Sequence, residues 1–170
     1  MIIIGYQGIG KSTMAMLANN TIDLESSTFW YNKHEFKRYE NWAEVYTNIA
    51  KYISSCGNIV FTSSHKEVRD ALVGCNQDIY VCCPDISLKD EWIKKLDARY
   101  NVTKLDKDMR ALTGAKYHFE EQITGLLADA EINGWGVIKI TDMNYKLADV
   151  IKDAIYPEVD DVEEEKETVE

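Results

Sequence analysis

Apolar positions along the chain fall into two alternating kinds of block. Short dense runs occur at MIIIGY (1–6), TIDLES (21–26), GNIVFTSS (57–64), QDIYVCCP (77–84) and GVIKIT (136–141). Their length and their β-branched and aromatic residues predict five strands. Between them apolar residues recur every three or four positions, as in a helix. Residues 11–20 form the first such stretch. In the second, Trp42, Val45, Ile49, Tyr52 and Ile53 share a face, with Asn41 placed to cap the helix and Gly57 to end it. Helices are also predicted over 65–75 and over 87–100, the latter with Ser87 at its cap and Asp90 and Glu91 in its first turn. A long charged helical region continues through Ile132, and a closing helix spans 142–155. Residues 27–40 (STFWYNKHEFKRYE) are aromatic and basic without a clean period, and read as a loop or a short helical excursion.

Strands alternating with helices of ten or more residues predict a parallel sheet with helices on both faces. The nearly continuous apolar strands MIII, NIVF and IYVCC fit burial on both sides. No internal repeat is present. The expected architecture is one three-layer α/β/α domain over residues 1–156 with a five-stranded parallel sheet.

Composition refines this picture rather than changing it. The 170 residues are 45% hydrophobic and 28% charged, enough for one domain with a real core. The net charge is −10, but residues 157–170 (PEVDDVEEEKETVE) hold eight acids and one Lys, a net −7, leaving −3 for residues 1–156. So acidic a segment, with so few apolar groups, is expected to be a disordered tail that favours solubility. The nearly balanced body argues against tight sequence-independent DNA binding, which needs a basic surface. No apolar run is long enough for a membrane span and no secretion signal opens the chain, so a cytoplasmic protein with no membrane partner is expected. Cys56, Cys75, Cys82 and Cys83 form no C-x-x-C pair and no zinc spacing, which fits a reducing compartment; Cys82 and Cys83 read as small buried hydrophobes.

The chemistry begins where the first strand ends. Gly5-Tyr6-Gln7-Gly8-Ile9-Gly10-Lys11-Ser12 matches G-x-x-x-x-G-K-[ST] at every fixed position, and it lies between a predicted strand and a predicted helix. Glycines let the backbone turn tightly and offer consecutive N–H groups to phosphate oxygens. Lys11 supplies a charge for the β- and γ-phosphates and the Ser12 hydroxyl can ligate Mg²⁺. Gly5, Gln7, Gly8, Ile9, Gly10, Lys11, Ser12 and Thr13 are therefore the expected cradle for ATP with Mg²⁺. An N-K-x-D base-reading motif and a D-x-x-G after the third strand are both absent from the sequence, which disfavours a GTPase switch.

Three further groups are candidates for the acceptor side. The third strand ends Phe61-Thr62-Ser63-Ser64, without an acid, but Asp23-x-Glu25 closes the second strand. Carboxyl ends of parallel strands gather at one edge, so Asp23 is expected beside the loop as a metal-associated and catalytic acid. This resembles the D-x-D of shikimate, gluconate and polynucleotide kinases, and is carried to Asp23 alone; the alternative is an acid that merely ends a strand. Ser26 follows it toward the acceptor. Ser63-Ser64-His65-Lys66-Glu67-Val68-Arg69 leads from a strand into a helix, making His65, Lys66 and Arg69 candidates for a substrate anion, against the plainer reading of solvated or capping residues. On the helix 87–100, Lys95 and Arg99 are four residues apart on one face. Arg99 is the candidate lid arginine that neutralises transition-state charge, with Lys95 beside it; a Glu91–Lys95 surface pair is the alternative. Phe29, Trp30, Tyr31 and Phe36 are candidates for stacking on a base, and Lys33, Lys37 and Arg38 for its phosphate.

In order, GYQGIGKST, IDLESS, NWAEVY, VFTSSHKEVRDAL and CPDISLKDEWIKKLDARYN resemble a phage-encoded P-loop kinase family, described as adenylate-kinase-like or (deoxy)nucleoside monophosphate kinase-like. The resemblance covers residues 1–155 and departs at Lys95, where Arg is expected, and at Tyr100, where Gly is expected. It implies a sheet of strand order 2-3-1-4-5, transfer of phosphate from ATP, a nucleotide acceptor and a host cytoplasmic location. A kinase acting on a polynucleotide end or a modified DNA base is the second expectation, and a nucleotide-binding regulator with little turnover the third.

Overall fold

In this computed structural model, residues 1–29, 31–32 and 37–156 are described. In chain order the elements are β1 (Ile2–Gly5), α1 (Lys11–Leu17), β2 (Thr21–Asp23), a 3₁₀ turn (Ser26–Thr28), β3 (Tyr31–Asn32), β4 (Lys37–Arg38) and α2 (Trp42–Ser55). They continue with β5 (Ile59–Ser63), α3 (Lys66–Leu72), β6 (Ile79–Pro84), a 3₁₀ turn (Ile86–Leu88), α4 (Lys89–Thr103), α5 (Asp106–Asn133), β7 (Gly136–Ile140) and α6 (Leu147–Ile155).

Five strands form one all-parallel sheet in the order β2-β5-β1-β6-β7. With the small β3–β4 ribbon set aside, this is the expected 2-3-1-4-5 order. Right-handed crossovers place α1 and α6 on one face and α2, α3 and α5 on the other. In keeping with this, α1 packs against α6, α2 against α3, and α5 against β6 and β7. The central strand is apolar on both faces because both are covered: Ile2, Ile3 and Ile4 are fully buried, as are Val60, Phe61, Val81, Cys82 and Cys83. Across the layer, Ala115, Phe119, Ile123, Leu126 and Ala130 recur every three or four residues and line the buried stripe of α5. Edge strand β7 is covered less completely, so Ile138 and Ile140 are buried while Val137 and Lys139 are exposed.

Local readings are corrected in four places. The stripe of α2 is turned from the expected one: Trp42, Ala43, Tyr46 and Ala50 are buried, whereas Ile49 and Tyr52 are exposed. Small alanines let the helix approach the sheet and leave room for the Tyr46 ring. The helix expected over 87–100 runs on to Thr103 and ends where Lys104 adopts a left-handed φ of 52°. The long helical region that follows it is α5, which is not straight but bends at His118 with φ −134°. Ser87 does not cap α4; it lies in the preceding 3₁₀ turn, which Asp85 caps, its carboxylate accepting from the Ser87 backbone N–H at 3.0 Å and the Ser87 hydroxyl at 2.7 Å. Part of residues 27–40 forms a 3₁₀ turn and the antiparallel β3–β4 ribbon. All four cysteines are free, with Cys56 exposed and Cys82 and Cys83 buried. Among the described residues no helix is long and apolar enough to cross a membrane. The expected disordered tail (157–170) and the stacking candidates Trp30 and Phe36, with Lys33, lie outside the described residues.

Candidate functional site

The register of the sheet brings Gly5, Ser63 and Cys82 level at one end, with Asp23 level with Phe61. The candidate phosphate loop leaves β1 at this edge. Gly8 and Gly10 have φ of 84° and 100°, a backbone region that L side chains adopt only with strain. At Gly5 the constraint is space, since a Cβ there would come within 2.7 Å of Lys11 Cδ and 2.8 Å of Ile9 Cδ1. The side chain of Lys11 lies back along the loop, and its Nζ donates to the carbonyls of Gly5 at 2.9 Å and Tyr6 at 3.2 Å. Burial lowers the pKa of this ammonium; the charges of Asp23 and Glu25 oppose that, and Arg99 adds to it.

The side chains of the loop mostly face the protein. Tyr6 and Ile9 are buried in the core. The Tyr6 hydroxyl donates to Gln122 Oε1 at 2.9 Å, its ring meets Phe119 edge-on at 5.7 Å, and burial pushes its pKa up to about 12. Gln7 Nε2 donates to the Ala111 carbonyl at 2.9 Å, so what Gln7 can offer a ligand is its backbone. Ser12 and Thr13 stand exposed in the first turn of α1. The Ser12 hydroxyl donates to Asp23 Oδ2 at 2.5 Å, which brings the motif's serine and the acid of β2 together.

Tyr46 fixes the geometry on the acid side. Its hydroxyl donates to the Leu24 carbonyl at 2.5 Å and accepts the Ser63 N–H at 3.0 Å, tying the end of β2 to the end of β5. Phe29 packs edge-on against the Tyr46 ring at 5.1 Å. Burial holds the Tyr46 hydroxyl far above its ordinary pKa, and it stays neutral. Glu25 caps the following 3₁₀ turn through the Ser27 N–H at 3.0 Å and pairs with Lys107 at 3.3 Å.

Beyond this tie lies a pocket of about 420 Å³ lined by Arg38, Tyr39, Glu40, Trp42, His65 and Glu67. The Arg38 guanidinium sits 3.8 Å from the centre of the Trp42 ring, and Nη2 donates to the buried Ser26 hydroxyl at 3.4 Å. Its Nη1 is buried and, among the described residues, has no hydrogen-bond partner. His65 meets Trp42 edge-on at 5.6 Å, with Nδ1 2.9 Å from Ser63 Oγ. Partial desolvation, and then the positive charge of Arg38, holds the exposed His65 below the usual histidine pKa. Ser26 and His65 are thus brought together with Arg38. Lys66 is not, being paired with Asp70 on the exposed face of α3. Arg69 ties α3 to α5, through Asp129 at 2.7 Å and the Ser64 carbonyl at 3.1 Å.

Lys95 and Arg99 both lie on α4. Lys95 Nζ donates to the Tyr145 hydroxyl at 2.8 Å and sits near the Trp92 and Tyr145 rings, 4.4 and 4.7 Å from their centres. Arg99 pairs with the buried carboxylate of Asp108, which also accepts the Thr103 hydroxyl at 2.6 Å. Sequence reasoning placed Trp42 only as a helix position and gave no role to Tyr46, Trp92, Asp108 or Tyr145. An aromatic residue beside a motif was the available signal for Trp42; nothing local marked the others.

Among the described residues no group of three or more His, Cys, Asp or Glu side chains is placed to hold a metal ion. One hydroxyl and one carboxylate, as Ser12 and Asp23 provide, suit a hard cation that takes its other ligands from water and phosphate. No protein-family model matches the chain, and no curated protein matches it in sequence.

Proposed function

We propose that the chain is a P-loop phosphotransferase that uses ATP with Mg²⁺ and acts on a nucleotide, with a (deoxy)nucleoside monophosphate as acceptor. The observation that carries this reading is the Ser12–Asp23 contact at 2.5 Å beside a loop whose Gly8 and Gly10 adopt left-handed backbone. The parallel sheet with the loop-bearing strand at its centre supports it, because ligands of such sheets sit at the carboxyl edge where strand order reverses. Four free cysteines fit action in a reducing cytoplasm.

Bound Mg²⁺ supplies charge neutralisation for the phosphates, and Ser12 and Asp23 are the residues that would hold it. The loop amides bind the triphosphate. Lys11 exchanges the Gly5 and Tyr6 carbonyls for phosphate oxygens, and the acids beside it favour keeping its proton. Asp23 also stands where it can orient the attacking oxygen, and positioning is most of what phosphoryl transfer asks of a protein. The pocket of Arg38, Trp42 and His65 accepts the nucleotide, with Arg38, held over the buried Trp42 ring, offering a positive charge.

Calorimetric titration of ATP with Mg²⁺ into the protein and into Lys11→Ala tests the binding half. Equal affinities would remove the basis of the reading. Release of ADP, screened over all monophosphates and short oligonucleotides, tests the acceptor. Turnover with oligonucleotides alone replaces the mononucleotide acceptor by a polynucleotide end, and turnover with none of them points to a binding protein.

A further inference from the structure

The phosphate loop is gripped from its outer side by two aromatic residues that arrive from distant parts of the chain. The Trp92 indole N–H donates to the Gln7 carbonyl at 3.0 Å, and the Tyr145 hydroxyl donates to the Ile9 carbonyl at 2.9 Å. The two rings are stacked, 12° from parallel with centres 6.2 Å apart, and Lys95 Nζ donates to the Tyr145 oxygen at 2.8 Å. Contact is tight, since a Cβ on Gly8 would fall 2.9 Å from Leu96 Cδ2 and 3.3 Å from Trp92 Nε1.

These two carbonyls belong to the peptide units whose N–H groups are those of Gly8 and Gly10. In a trans peptide the C=O and N–H point in opposite directions. Holding both carbonyls against α4 and the β7–α6 connection therefore turns the Gly8 and Gly10 N–H groups the other way. Among the described residues, neither N–H donates to a backbone carbonyl. Each accepted hydrogen bond also polarises its peptide, and a chain of donors strengthens the effect. Lys95 to Tyr145 to Ile9 is such a chain, with a cation at its head.

We infer that Trp92, Tyr145 and Lys95 are positioning residues that aim and polarise the Gly8 and Gly10 amides toward a phosphate chain. The inference rests on the phosphotransferase reading, because it supplies that reading's phosphate donors. It also gives Lys95 a task on the outer side of the loop, as the charge that polarises Tyr145.

Tyr145→Phe tests it, since the substitution removes one hydroxyl and keeps the ring stacked on Trp92. Two probes are titrated into both proteins, ATP with Mg²⁺ and inorganic tripolyphosphate with Mg²⁺. The expected result is weaker binding of both probes by the same factor, about fivefold to tenfold for one lost hydrogen bond. In the ligand-free protein the Gly10 amide proton should move upfield while that of Gly8 moves less. Lys95→Met should give a smaller change of the same sign, and Lys95→Arg should restore it. A loss confined to ATP would overturn the inference in favour of direct contact between Tyr145 and the nucleoside. Unchanged affinity and an unmoved Gly10 amide would overturn it while leaving the phosphotransferase reading intact. Failure of the unsubstituted protein to bind either probe would sink both.

Discussion

The Ser12 hydroxyl and the Asp23 carboxylate meet at 2.5 Å, although one begins a helix and the other ends a strand on the far side of β5. The contact joins a residue suited to holding a cation to one suited to orienting an acceptor. Asp23→Asn keeps the shape and removes the charge. Turnover should fall by about 10²-fold or more, the scale of a positioned acid–base group. On the proposed reading Lys11 and the loop amides carry the triphosphate, so affinity for ATP should change much less. Near-normal kcat in the variant would leave Asp23 as a residue that only ends β2.

Lys11 gives a second, independent check. In the free protein its ammonium is solvated by two carbonyls, and burial lowers its pKa. On the proposed reading, such a group serves the ligand rather than the fold. Lys11→Met retains the aliphatic stem that packs against Gly5 and removes the charge. Thermal melting of the ligand-free variant should therefore show no fall in Tm, while the rise in Tm that ATP with Mg²⁺ gives the parent should disappear. A large fall in the ligand-free Tm would show that the ammonium holds the loop together.

The parts of this arrangement that were legible in the sequence are those made by neighbours in the chain or by sheet geometry. The loop is a contiguous motif, so its glycines announce their backbone. Asp23 follows from the rule that parallel strands end at one edge. The residues that grip the site left no such trace. Trp92 is 85 residues from Gln7, and Tyr145 is 136 from Ile9, and a lone aromatic in a helix or loop reads as core at either place. Tyr46 was hidden for another reason. The apolar period of α2 pointed to Ile49 and Tyr52, whereas burial of Ala43 and Ala50 turned the helix to set a hydroxyl between two strand ends. Hydrophobicity carries no information about that hydrogen bond.

His65 provides a pH test. Although His65 is exposed at the mouth of its pocket, partial desolvation and the charges of Arg38, Lys11 and Arg69 lower its pKa, against the opposing pull of Glu67, so the folded protein takes up the proton less readily than the ordinary value of 6.5 implies. The unfolded chain then binds the proton more readily than the folded one. The associated stability is present above pH 6.5 and is lost as pH falls through the folded pKa. Urea unfolding between pH 7.5 and 5 should show this decline, and His65→Gln should flatten its upper part. An NMR titration that places His65 above 6.5 would reverse the sign and contradict the assignment.

Arg99 and Asp108 separate a catalytic from a structural role for α4. Asp108 is 3% exposed and accepts from both Arg99 and Thr103, so Asp108→Ala should lower the unfolding free energy by about 2 kcal/mol, the scale of hydrogen bonds to a buried charge. Arg99 is 41% exposed at its side chain, so solvent screens its share of the pair and its loss should cost the fold less. Turnover should rank the two variants the other way. The positive charge of Arg99 disfavours the charge on Lys11, so the two cations act on one side of the candidate phosphate loop. If Arg99 neutralises charge during transfer, Arg99→Ala should lower kcat by about 10²-fold, whereas Asp108→Ala, which breaks the same pair but leaves the guanidinium, should retain most of it. Equal losses in the two variants would mean that the pair only braces the α4–α5 junction, and that the charge on the transferred group is met elsewhere.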